Sequence, residues 1–172
     1  MAGDRKKIII IDDVELNRTI LGEAFSKKYD VLEAADGAEG LEKIFANSDD
    51  LAAIFLDIIM PEMDGFSVLQ ELERKEFMRK IPLFIITTET TDYVVERAYD
   101  YGVIDVIQKP FNLLIIERRV ANIIELFENR TKMEAMVREQ KSVESGSAGG
   151  ESEAKYKDAL IKISKIINSL KN

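Results

Sequence analysis

Five side chains far apart in the chain have the types that phosphorus chemistry on a carboxylate needs: Asp12, Asp13, Asp57, Thr87 and Lys109. Each follows a short apolar run. The run at 8–11 leads to Asp12 and Asp13, that at 52–56 to Asp57, and that at 83–86 to Thr87 and Thr88. The run at 103–107 leads to Gln108 and then to Lys109 before Pro110. Three carboxylates within a few ångströms repel one another and cannot all stay ionised without a cation. Oxygen ligands without His or Cys, sparse enough to leave room for water, suit Mg2+. A carboxylate beside that ion is a nucleophile toward phosphorus, because the metal neutralises the incoming oxygens. Lys109 and the Thr87 hydroxyl are the donors that hold a transferred group.

Such chemistry requires the ends of the runs to be neighbours, and the surrounding pattern predicts that they are. Apolar runs alternate with segments of helical period, as in a parallel sheet covered by helices. Leu16, Ile20, Leu21, Ala24 and Phe25 mark a first helix, followed by an edge strand at 29–34. Leu41, Ile44 and Phe45 mark a second helix, and Phe66, Leu69 and Leu72 a third. Pro82 opens the fourth strand, and a helix over 92–101 ends at Gly102. A long helix begins near Leu113 and carries Val120, Ile123, Ile124 and Phe127. Five β/α pairs with short connections favour a doubly wound α/β fold: a five-stranded parallel sheet, flavodoxin-like, in the order 2-1-3-4-5. In that order strands one, three, four and five are consecutive, and their carboxyl ends form one shallow site.

Every one of these residues also has a plainer reading. An Asp-Asp pair after a strand is an ordinary turn or helix cap, and Asp57 before the Pro61 loop is another candidate cap. A Thr-Thr pair suits any strand end, and a lysine before proline suits solvated surface. The plain readings would have to hold independently at four strand ends in order, and that favours the shared site.

The strings IIIIDD at 8–13, FLDIIMPEMDG at 55–65, PLFIITT at 82–88 and QKPF at 108–111 resemble the receiver domains of two-component response regulators. The resemblance spans about residues 6–128. It implies that Asp57 is the phospho-acceptor and that Asp13, Asp57 and the backbone carbonyl of Ile59 bind Mg2+, with Asp12 supporting the ion through water. It further implies that Lys109 pairs with the phosphoryl oxygens, that its bond to Pro110 is cis, and that Thr87 is the switch hydroxyl. Two positions depart from the family pattern: Val106 stands where many members have an aromatic, and Thr88 where the residue is commonly small. Ile59 and Glu89 stand where the family tunes the lifetime of the phosphoryl group. The partners implied are a sensor histidine kinase or a phosphotransfer protein. A homodimer through the face of the fourth helix, fifth strand and fifth helix is expected as well.

Composition narrows the rest. Apolar residues make up 46% of 172, enough for a core, and there is no cysteine for a disulfide or thiolate metal site. There is no histidine, so any phosphohistidine belongs to a partner. A net charge of −8 with interleaved signs gives no basic stripe for nucleic acid. The N-terminal apolar run is too short for a signal peptide or a span, which predicts a cytoplasmic protein with no membrane partner. An aspartate-based phosphatase also uses an Asp nucleophile with Mg2+, but it carries a second Asp two residues on, where this chain has Ile59. A receiver-like scaffold that is never phosphorylated would have no use for the acidic set. The chain therefore reads as no enzyme beyond its own phosphotransfer and dephosphorylation.

Four segments are expected: a receiver over 1–128, a helical extension at 129–141, a flexible linker at 142–151, and an amphipathic helix at 152–172. The linker contains GSAGG, the composition of an engineered joint. Tyr156, Leu160, Ile163, Ile167 and Leu170 give the last segment heptad-like spacing.

Overall fold

A computed structural model describes residues 5–144 and 161–162. By its contacts the chain divides into two compact units, between Ala121 and Asn122. The first unit holds β1 (Lys7–Ile11), α1 (Glu15–Phe25), β2 (Asp30–Ala34), α2 (Gly37–Ala46) and β3 (Leu51–Leu56). It continues with α3 (Gly65–Arg74), a 3-10 turn (Phe77–Arg79), β4 (Leu83–Thr87), α4 (Asp92–Asp100), β5 (Asp105–Gln108) and the start of α5 (Leu113–Glu144). The strands pair in parallel in the order β2-β1-β3-β4-β5, as expected.

The burial of each strand explains its place. All six residues of β3 and all five of β4 are buried, as strands covered on both faces must be. The edge strand β2 instead carries two acidic residues, Asp30 and Glu33, and is buried only at Ala34. Phe25, Phe55 and Phe84 form a continuous stack, with ring centroids 5.1 and 5.4 Å apart, that ties α1 to the sheet.

Two of the helices that flank the site loops start on aspartate caps. The Asp36 carboxylate accepts from Glu39 N to start α2, and that of Asp64 accepts from Ser67 N to start α3. Gly65 is required by close approach: a Cβ there would meet the Asp57 carbonyl oxygen, and Ile58 Cα at 2.7 Å. Gly102 ends the turn after α4 with φ of 86°, donating to Tyr99 O at 2.8 Å.

Three boundaries differ from the sequence pattern. β5 starts at Asp105 rather than Val103, because Val103 and Ile104 are buried in the chain leading into the strand. Ile104 N already donates to Leu83 O at 2.8 Å. The turn at Phe77–Arg79 has no periodic signature: it forms because Phe77 and Met78 pack on the core after Glu76 adopts a φ of 57°. Helix α5 runs to Glu144, three residues into the stretch whose composition reads as linker.

In the second unit, the described part of α5 carries an Arg130 guanidinium 4.7 Å from the Phe127 ring and a Thr131 hydroxyl donating to Phe127 O at 3.0 Å. The remainder of the expected linker and amphipathic helix lies outside the described residues, apart from Ile161 and Lys162, which are helical and exposed. Among the described residues no helix is long and apolar enough to cross a membrane.

Candidate functional site

Backbone hydrogen bonds continue past the strand ends and draw the tips together. Asp57 N donates to Ile11 O at 2.8 Å, Asp12 N to Ala34 O at 3.1 Å and Lys109 N to Thr87 O at 2.9 Å. One carboxylate oxygen each from Asp12, Asp13 and Asp57 therefore falls within 4.8 Å of the others. Asp12 and Asp57 are buried, while Asp13 is exposed at the mouth. No hydrogen bond or ion pair among the described residues engages the Asp13 carboxylate.

Lys109 reaches into the cluster from the far side. Its Nζ donates to Asp12 Oδ2 at 2.7 Å and to Asp57 Oδ2 at 2.5 Å. Ile59 N donates to Asp57 Oδ1 at 3.1 Å. Burial is the largest influence on Asp57 and pushes its carboxyl above the ordinary carboxylate value, with Lys109 pulling against it and Asp12 adding repulsion. Burial pulls the Lys109 ammonium down, but its bonds to Asp12 and Asp57 outweigh that and hold it above its ordinary value. The peptide bond from Lys109 to Pro110 is cis, as the resemblance implies.

Asp12 is the most heavily bonded member. Its Oδ1 accepts from Val14 N at 2.9 Å and from the Asn17 amide at 3.1 Å, and its Oδ2 accepts from the same amide at 3.2 Å. Arg18 donates to the Asp12 carbonyl at 2.8 Å. Thr87 is fully buried, and its Oγ1 accepts from Glu89 N at 3.2 Å. The neighbouring Thr88, not Thr87, lines the cavity in front of Asp57. That cavity holds about 610 Å3, and Val14, Ile20, Ile59, Phe111 and Leu113 give it an apolar wall.

The structure thus gathers all five expected side chains at adjacent strand ends, with the Thr87 hydroxyl turned to its own loop. The plain readings hold only in part. Asp12 does cap the chain entering α1, through Val14 N, but the cap of α3 is Asp64 rather than Asp57. Lys109 is paired rather than solvated. Asn17 and Arg18 went unrecognised from sequence. Their signal is position: both stand in the first turn after Asp12, where a polar side chain faces back toward the strand end.

The donor chemistry fits a hard cation. Three carboxylates converge on one point, Asp13 has free oxygens, and the open cavity leaves space for water. Asp12, Asp13 and Asp57 are the residues that would hold it.

Comparison with known proteins agrees with this geometry. The family model described as "Response regulator receiver domain" matches residues 8–121. The chemotaxis protein CheY1 of Helicobacter pylori is 33% identical over 116 residues, covering 66% of this chain and 93% of its own length. Hybrid signal transduction histidine kinase D of Dictyostelium discoideum is 34% identical over 117 residues, 68% of this chain but 7% of that protein. The CheX-CheY-BeF3-Mg complex from Borrelia burgdorferi is similar in structure, with a TM-score of 0.62 and 26% identity over 69% of this chain and 88% of that one.

Proposed function

The chain belongs to the response regulator receiver domain family, and on that premise we propose that it is the phospho-accepting switch of a phosphorelay, with Asp57 as the acceptor. The observation that carries this reading is the arrangement of Asp57: buried at the base of an open cavity, flanked by two further carboxylates, and held by Lys109.

In the proposed step an Asp57 carboxylate oxygen attacks phosphorus. The new O–P bond forms as the P–N bond to the donor histidine breaks. The electron pair leaves with the imidazole nitrogen, which takes a proton from solvent. Asp13, Asp57 and the Ile59 carbonyl, with Asp12 behind them, would hold a magnesium ion, whose charge would offset that of the phosphoryl oxygens. Lys109 moves from Asp12 and Asp57 to a phosphoryl oxygen, and the Thr87 hydroxyl leaves Glu89 N to donate to another. Val106 in place of an aromatic means that the Thr87 movement is read out by aliphatic repacking of β5.

The histidine lies outside these 172 residues, which hold none, and a sensor kinase or phosphotransfer protein is the proposed source. Exposed Val14 and Ile59 in the cavity lining support docking of a protein rather than of a nucleic acid or a membrane. The cytoplasm, where such partners and free Mg2+ meet, is the proposed location. A homodimer on the α4/β5/α5 face belongs to the same proposal, supported by exposed Tyr93 and Ile115.

We expect no catalytic turnover beyond self-modification, since Ile59 stands where a phosphatase acid would be. Incubation with excess small phosphodonor and Mg2+, with released phosphate assayed over time, tests this. The prediction is about one phosphate incorporated per chain, blocked by a chelator. Phosphate release faster than the decay of the phosphorylated chain itself, or no incorporation at all, would contradict it.

A further inference from the structure

Among the three carboxylates, Asp12 is wrapped in donors from α1. The Asn17 amide is clipped across both of its oxygens, at 3.1 and 3.2 Å. A carboxylate admits only the NH2 end of that amide, so the orientation of Asn17 follows from chemistry. The backbone beneath is fixed too: Arg18 holds the Asp12 carbonyl at 2.8 Å and is itself paired with Glu33 at 3.2 Å.

Capping alone does not account for this. Val14, at the cap position of α1, has no side-chain oxygen, and Asp12 takes over by accepting from Val14 N. That bond is all the helix start requires of Asp12. The Asn17 amide satisfies no orphan backbone group and acts only on the carboxylate. Its bonds matter once Lys109 is drawn off, because Asn17 is then the remaining donor to Asp12 Oδ2 among the described residues.

We infer that Asn17 is a positioning residue: its amide keeps the Asp12 carboxylate aimed at the cation site when Lys109 turns to the phosphoryl group, with Arg18 locking the strand end below. This rests on the magnesium reading given above. Partners that orient metal ligands without touching the metal typically contribute tenfold to a hundredfold in affinity.

The test is calorimetric titration of the full chain with Mg2+ alone. Asn17→Leu keeps the approximate size and removes the amide; the expected result is about tenfold to a hundredfold weaker binding. Asn17→Gln, which keeps the donor, regains part of that loss. Thr19→Ala, at an exposed position on the same helix, binds as the wild type does. Melting temperatures in chelator stay together across the set. Phosphorylation of Asn17→Leu by a small donor is slow at low Mg2+ and recovers at saturating Mg2+, a split that a folding defect does not produce. Wild-type affinity in Asn17→Leu would overturn the inference and leave the metal site standing. A wild-type chain that binds no Mg2+ would overturn the metal reading itself, and the inference with it.

Discussion

At the scale of single residues, the site is a charge problem with two solutions. Asp12 and Asp57 are buried side by side, and Lys109 supplies a compensating cation from within the chain. Removing that partner strands the carboxylates. Lys109→Met, which keeps the length of the side chain, should lose on the order of 3 kcal/mol of stability in the presence of chelator. Urea unfolding measures this, and adding Mg2+ should restore part of the loss. Unchanged stability without metal would mean that the lysine is incidental to the cluster. The five reactive types were legible because each sits at the end of an apolar run, where sequence position and spatial position coincide. Asn17 was not, since its role depends on the rotation of a helix about its axis. The Thr87 hydroxyl was legible as a donor, whereas its present bond to Glu89 N depends on a loop conformation that no pattern encodes.

At the scale of elements, fully buried β3 and β4 had to lie inside the sheet, and β2 with its two acidic residues had to lie at its edge. Hence the strand order could be read without coordinates. The Phe77–Arg79 turn could not, because only packing on the core specifies it. A buried charge opens β5: Asp105 is paired with Arg119, but burial outweighs the guanidinium and raises the carboxyl above its ordinary value of 3.8. The folded chain therefore binds that proton more tightly than the unfolded chain. The ionisation penalty is absent well below pH 3.8, grows as pH rises above it, and is complete beyond the raised folded-state value. Asp105→Asn should accordingly gain melting temperature at neutral pH, and the gain should vanish in acid. Thermal unfolding across pH measures it, and an equal gain at every pH would show that charge is not the cause.

At the scale of the whole molecule, a receiver's state is read by other surfaces. Phosphorylation adds about −1.5 to −2 charges at one point, and its effect on partners requires a population shift between two arrangements of the switch face. If the α4/β5/α5 face is that surface, solution mass should double when beryllofluoride and Mg2+ are added to the full chain. An unchanged monomer would remove the dimer from the account. The sequence announced a long fifth helix, and its described part reaches Glu144. Each of these propositions depends on where the phosphoryl group goes. Intact-mass measurement after incubation with a small phosphodonor and Mg2+ tests that most directly. The account predicts a single added phosphate on the wild-type chain and none on Asp57→Asn. An unmodified wild type, or a variant that still takes up phosphate, would contradict it.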